Sequence, residues 1–157
     1  MTQKHLLLAF VVLLLCSVAV FGQAKPNFTG EWTINAQKSS FGEFPAPDSY
    51  TAKIEHNEPN IKVVTTQVGQ MGEMTTERDC ATDTGACTVK AQFGDIKSTA
   101  KWDGPTLVTD STMDFNGMAM KGQEKMSLSE DGKTLTLDNS FSSDMGQMQF
   151  KIVLDKK

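Results

Sequence analysis

Few side chains in this sequence could carry out enzymatic chemistry. His56 is the only histidine beyond the first two dozen residues, and it lies beside the turn-forming segment 57–60. No Gly-x-Ser-x-Gly motif supplies a nucleophile for it, and no glycine-rich phosphate loop precedes a helix. Asp79 and Asp83 alone do not make a calcium-binding loop. We therefore expect His56 to be a solvated turn residue, and we expect no enzymatic activity, no cofactor and no metal.

Arg78 is the only arginine in the chain and the first candidate for recognising a ligand. Inside a barrel, its guanidinium group could bind a ligand carboxylate through two parallel hydrogen bonds. Two structural roles are the alternatives. Arg78 could stack on Trp32 as a cation–π contact, or it could face solvent beside the cysteines that follow it.

Methionine is unusually frequent and occurs in closely spaced pairs. Six methionines form these pairs: Met71 and Met74, Met118 and Met120, and Met145 and Met148. Thioethers are soft ligands that suit Cu(I), so a Met-rich periplasmic copper-binding protein is one alternative function. Methionine is also flexible and adapts to apolar ligands, which is the interpretation we prefer.

The amino terminus predicts export. Lys4 and His5 precede an apolar run over residues 6–21, and small residues follow it, as in a secretion signal. We expect residues 1–24 to be a signal peptide cleaved after Gly22 or Ala24, and residues 25–157 to be periplasmic or extracellular. The alternatives are an uncleaved anchor and lipid attachment at Cys16.

Two cysteines, Cys80 and Cys87, remain after that segment. In an exported protein an even number of cysteines predicts a disulfide, here one that joins two strands near the tip of a hairpin. Two cysteines and one histidine cannot fill a four-ligand zinc site without carboxylates.

Composition fits one compact domain. Of 157 residues, 39% are hydrophobic and 22% are charged, and the net charge is −4. A nucleic-acid partner is not expected, because phosphate contacts need clustered lysine and arginine. We expect a monomer that has no stable membrane insertion once the signal is removed.

Alternation of apolar and polar residues dominates after the signal, and turn-forming pairs interrupt it at short intervals. Ten strands are predicted, at 28–34, 49–56, 61–68, 73–79, 87–91, 95–102, 106–115, 119–129, 133–140 and 147–155. The short links favour an antiparallel up-and-down meander, and closing it into a barrel removes the exposed sheet edges. The predicted fold class is therefore an all-β barrel.

Gly30-Glu31-Trp32 lies on the first predicted strand and follows Asn27-Phe28-Thr29. This opening resembles the Gly-x-Trp motif that lipocalins and fatty-acid-binding proteins share. The meander that follows is similar to that calycin group, and more narrowly to small secreted bacterial lipocalin-like proteins. The resemblance implies a barrel that holds one small ligand.

The links after the odd-numbered predicted strands lie at one end of such a barrel and carry apolar residues. We predict that these residues line an open mouth: Phe41, Phe44, Met71, Met74, Phe93, Met118, Met120, Met145 and Met148. The loop 35–48 would be a lid, and Trp32 would form the floor at the opposite end. Alternatively, these side chains fill the core, or the same rim binds a partner protein as an inhibitor would.

Polar residues share the inward phase of the strands with the apolar ones. Arg78, Ser98, Thr109 and Glu124 are the predicted ligand-binding residues of the interior. Polar groups are rare in a solid core because leaving them without partners is costly. They suit a cavity that binds a small apolar or amphipathic molecule.

Overall fold

The computed structural model describes residues 25–157 except 43, 93, 116, 117 and 145. Its ten strands are β1 (Gly30–Ile34), β2 (Ser49–Asn57), β3 (Asn60–Gly69), β4 (Gly72–Ala81), β5 (Ala86–Ala91), β6 (Gly94–Asp103), β7 (Thr106–Phe115), β8 (Met118–Leu128), β9 (Thr134–Ser143) and β10 (Gly146–Lys156). Each strand pairs antiparallel with its neighbours in sequence, and β1 pairs with β10. The prediction of an all-β antiparallel meander closed into a barrel is confirmed.

The alternation in sequence explains which side chains face inward. Residues directly opposite each other in neighbouring strands point to the same face. One such row runs through Ile54, Val63, Arg78, Val89 and Ile96. The predicted inward phase therefore corresponds to one continuous face of the sheet.

Tight turns connect the strands at positions where the sequence has residues that can adopt a left-handed backbone conformation. Gly104 (φ 57°) and Gly132 (φ 69°) adopt left-handed conformations in the turns before β7 and β9. A side chain at either position would be strained, which is why Asp-Gly pairs mark these turns.

Strand β1 is short, and the loop that follows it completes the wall. β1 pairs with β10 at three residue positions and with β2 at four, whereas β9 and β10 pair at ten. Ser40, in the loop, forms a bridge with Lys151 on β10.

The fully buried core fills the end opposite the lid. Its largest side chains come from the segment before β1 and from seven strands: Phe28, Trp32, Ile54, Ile61, Leu107, Met126, Leu135 and Leu154. On the inward face of β8 and β9, the residues next to this apolar layer are polar. The residues beyond them, nearer the lid, are apolar or aromatic again. The interior is therefore layered as an apolar floor, a polar middle and an apolar mouth.

Candidate functional site

An ion pair spans the middle of the barrel. Arg78 on β4 and Glu124 on β8 are separated by three strands in the sheet, and Arg78 Nη1 lies 2.7 Å from Glu124 Oε1. Their side chains are 13% and 20% exposed, so both charges lie mostly inside. Among the described residues, Lys156 is the cation over the Trp32 ring, 5.3 Å from its centroid. The guanidinium thus has a carboxylate partner within the protein.

A cavity of about 260 Å³ surrounds this pair. Tyr50 lies in its wall, and burial raises the pKa of the phenol above its ordinary value, with the Glu124 carboxylate raising it further. The charge of Arg78 and a hydrogen bond with Thr65 act in the opposite direction. Tyr50 therefore stays a neutral phenol, able to donate and to accept hydrogen bonds.

Ser98 and Thr109, also predicted to line the interior, belong to the same inward face on β6 and β7. Ser98 Oγ lies 2.9 Å from Ser111 Oγ, so the two hydroxyl groups satisfy each other. Thr109 is buried, opposite Glu124 on the neighbouring strand. Neither residue is part of the lining of the cavity around Arg78 and Glu124.

A second cavity, which we call the mouth cavity, has a volume of about 470 Å³ and is lined in part by the loop predicted to be a lid. Four of the predicted mouth residues line it together: Phe41, Phe44, Met71 and Met74. Phe44 is 48% exposed and Met71 is 80% exposed, which is unusual for such large apolar side chains. Gln67, Phe150 and Ile152 also line the cavity around Arg78 and Glu124, which we call the inner cavity, so the two cavities adjoin at these side chains.

Three aromatic rings connect the lid to the interior. Phe44 contacts Phe150 edge to face at 6.1 Å, and Phe150 stacks on Phe141 at 5.8 Å. Phe141 lines the inner cavity, and Gly122 makes room for it. A Cβ atom at Gly122 would lie 2.9 Å from Phe141 Cε1. The three rings form a continuous row of aromatic contacts from the mouth cavity to the inner cavity.

The other predicted mouth residues are not brought into this cavity. Met120 lies opposite Met113, and Met148, which is also exposed, lies opposite Phe141. Phe93, Met145 and the side chain of Met118 lie outside the described part of the structure.

Trp32 is fully buried at the closed end of the barrel. Its Nε1–H donates to the backbone oxygen of Phe28 at 3.1 Å, and Phe28 stacks on Trp102 at 5.7 Å. The segment before β1 thus packs across this end. This position is the one predicted for a floor residue.

The expectation for His56 was wrong. The residue is 6% exposed, because the segment before β1 folds over it. The N–H of Phe28 donates to Nδ1 of His56 at 3.2 Å, which places the imidazole proton on Nε2. Nε2 in turn lies 2.9 Å from Glu58 Oε1.

Glu58 collects four hydrogen bonds at the closed end. Oε1 accepts from His56 and from Trp102 Nε1 (3.0 Å), and Oε2 accepts from Thr82 Oγ1 (3.0 Å) and Lys25 Nζ (3.2 Å). Burial works to raise the pKa of this carboxyl, but the bonds from His56, Lys25 and Thr82 outweigh it and lower the pKa to about 2. Through these hydrogen bonds, Glu58 connects the segment before β1 to the β2–β3 turn and the β4–β5 turn.

The disulfide prediction is confirmed. Cys80 and Cys87 are bonded and lie directly opposite each other on β4 and β5, next to the hairpin tip. Cys80 is buried and belongs to the hydrophobic core, so the bond lies on the inward face above the floor. A disulfide is the form expected in an oxidising compartment.

Sequence reasoning missed Tyr50, Phe141 and Gly122. Tyr50 and Phe141 continue the inward alternation of Ile54 and Leu137, and this signal could have identified both. The predicted strand 133–140 ended one residue too early to include Phe141. Gly122 carried only the weak signal of an isolated glycine within a strand.

The fold and its cavities define a class: a ten-stranded antiparallel closed barrel with an interior cavity, compatible with a calycin-like fold. The sequence matches no protein-family model and no curated protein. Within the described residues, no helix has the length and apolar character needed to cross a bilayer.

Proposed function

We propose that this protein is an exported, lipocalin-like binding protein for one small amphipathic molecule. The observation that carries the proposal is that an apolar mouth cavity adjoins a more polar inner cavity, with Gln67, Phe150 and Ile152 lining both. The mouth cavity has the volume of a typical small-molecule site and is lined mainly by apolar groups. The inner cavity adds a few polar groups, which such sites use to orient a ligand.

The apolar part of the ligand would occupy the mouth cavity, against Phe44, Met71 and Phe150. Flexible methionines and aromatic rings can adapt to tails of different shape. Each buried methylene contributes about 0.8 kcal/mol, so affinity should rise about fourfold per added carbon until the tail emerges from the lid.

Binding of the neutral fluorescent probe N-phenyl-1-naphthylamine tests this proposal. We expect saturable binding, with competition by aliphatic molecules of increasing length. Replacing Phe44 and Met71 together by Ser should weaken binding, because both line the mouth cavity. The matched control is Val64→Ser, since Val64 lies on the outward face of β3, opposite Lys53 and Glu77, and does not line that cavity.

Failure of the probe to bind the folded protein would contradict the proposal. Equal affinities of the lid variant and the wild type would show that the cavity under the lid is not the site. Tight Cu(I) binding that competes with the probe would favour the copper-binding alternative.

Export is part of the proposal, and the disulfide supports it. We expect amino-terminal sequencing of the secreted protein to begin at Gln23 or Lys25. A mature chain that begins at Met1 or at a lipid-modified Cys16 would contradict cleavage at either site.

A further inference from the structure

The carboxamide of Gln67 lies at the boundary between the two cavities. Gln67 is half-buried and lines both the mouth cavity and the inner cavity. On the neighbouring strands it lies opposite Tyr50, which lines the inner cavity, and opposite Met74, which lines the mouth cavity. The side chain therefore stands at the inner end of the mouth cavity.

This carboxamide makes no hydrogen bond with any described group. Its oxygen and nitrogen are not sealed off, because the side-chain atom that is both fully buried and unpartnered within the described residues is Glu124 Oε1. A carboxamide has two N–H donors and one carbonyl acceptor, and leaving them unpaired beside an apolar cavity is unfavourable. Gln67 therefore presents both a donor and an acceptor to a molecule in the mouth cavity.

Neither cavity offers a counter-charge to an ionic head group. The described lining of the mouth cavity contains no ionisable side chain. In the inner cavity, Arg78 lies 2.7 Å from Glu124 and the two charges neutralise each other. Burial raises the pKa of Tyr50, so its phenol is neutral. An ion that left water for either cavity would lose its hydration without gaining an opposite charge, so the polar group that binds inside must be uncharged.

Among uncharged groups, a second carboxamide matches Gln67 best. Two amides can form two parallel N–H···O=C hydrogen bonds, one donated by each partner. An ester accepts but cannot donate, so it would leave the Gln67 oxygen unpaired. A hydroxyl has a single oxygen for both roles, so it cannot form the two parallel bonds.

We propose that the ligand is an uncharged aliphatic amide whose carboxamide pairs with Gln67 and whose chain lies in the mouth cavity, an inference that rests on the function proposed above. The chain would extend past Met74 and Phe150 toward the exposed edge at Phe44, since all three line this cavity. Gln67 is then the residue that sets the specificity for the head group.

Displacement of N-phenyl-1-naphthylamine from the wild-type protein at neutral pH tests the head group without any mutation. The competitors are decanamide, methyl decanoate, decan-1-ol, decanoate and decylammonium, which carry chains of similar length and differ in the polar end. We expect decanamide to bind most tightly, by about threefold to tenfold over methyl decanoate, which is the net effect of one additional hydrogen bond. Both ions should bind more weakly than the ester.

Gln67→Leu tests the position of the head group. Leu occupies a similar volume but has neither donor nor acceptor, so decanamide should lose about tenfold in affinity while methyl decanoate changes less. Gln149→Leu is the matched control, because Gln149 lies on the outward face of β10, opposite Ser140, and lines neither cavity. It should leave all the affinities unchanged.

Gln67→Glu tests the same position by a gain of affinity, which a folding defect would not produce. The carboxylate keeps the shape of the side chain and supplies the counter-charge that the wild-type cavity lacks. Decylammonium should therefore gain about tenfold in affinity, the lower end of the range for a hydrogen bond to a charged group.

The outcomes separate this inference from the proposed function. If the probe binds and decanamide is not the best competitor in the wild type, the amide assignment is overturned and the binding function stands. If Gln67→Leu leaves the ranking as it was, or Gln67→Glu brings no gain for decylammonium, the head group does not lie at Gln67. If the probe does not bind the folded wild type, the binding function itself fails.

Discussion

Replacing Glu58 by Gln should lower stability in a way that depends on pH. The carboxylate of Glu58 accepts hydrogen bonds from His56, Trp102, Thr82 and Lys25. Gln keeps the shape of the side chain but removes the charge and the ion pair with Lys25. The variant therefore reports how strongly this carboxylate holds the closed end together.

The magnitude follows from the pKa of Glu58, which falls from 4.5 to about 2 on folding. A shift of that size corresponds to about 3 kcal/mol of stability if taken in full. The side chain is 37% exposed, and solvent screens an exposed pair, so we expect about 1–2 kcal/mol.

The sign of the pH dependence is fixed by the direction of the shift. Because the pKa of the folded state is the lower one, the unfolded state takes up a proton first as pH falls. The stabilisation is fully present above about pH 4.5 and is lost as pH decreases toward about 2. Glu58→Gln should therefore cost about 1–2 kcal/mol at neutral pH and almost nothing near pH 2.

Urea denaturation followed by tryptophan fluorescence measures this difference, and Trp102 reports on the site directly because its Nε1–H donates to Glu58. Glu73→Gln is the control, since Glu73 is an exposed carboxylate on the same barrel. The reasoning would be refuted if the free energies of unfolding of Glu58→Gln and the wild type differed by the same amount at neutral pH and at pH 2.

Three further perturbations test the interior. Gly122→Ala places a Cβ atom 2.9 Å from Phe141, so it should cost about 1–3 kcal/mol in urea denaturation. It should also weaken probe binding, and unchanged values would show that Phe141 moves freely. Replacing Cys80 and Cys87 together by Ser should lower the free energy of unfolding by about 2.5 kcal/mol, as closure of so short a loop predicts. A variant as stable as the oxidised wild type would contradict this. Trp32→Phe removes a buried N–H donor and leaves its carbonyl acceptor without a partner, which should cost about 1–3 kcal/mol by thermal or urea unfolding. A neutral result would mean that water replaces the indole.

The barrel could be predicted because each strand can be recognised from its own residues and from the turns beside it. Alternation identifies the inward face, and Asp-Gly pairs such as the one at Gly104 mark the turns. The error at the end of β9 has a physical origin. Asn139 and Ser140 disfavour a strand locally, but pairing with β8 and β10 on both sides extends the strand to Ser143.

The candidate site was only partly predictable, because it depends on contacts between distant residues. Alternation placed Arg78 and Glu124 on the inward face, but nothing local indicates that they meet across the barrel. His56 was mispredicted for a different reason. It continues the inward alternation of Ile54, so its inward direction could have been read from the sequence. What the alternation does not show is that Phe28, from the segment before β1, packs against it.

The short strand β1 bears on how fast a ligand could enter and leave. β1 is held to β10 at three residue positions, and nearer the mouth the loop bridge at Ser40 continues the contact. Local opening costs least where the fewest hydrogen bonds must break together. Because Trp32 on β1 is fully buried, this opening should be confined to the mouth end of the seam, around Ser40. Ligand exchange would then depend on local opening there, and the backbone amides around Ser40 should exchange with deuterium well before those of β9.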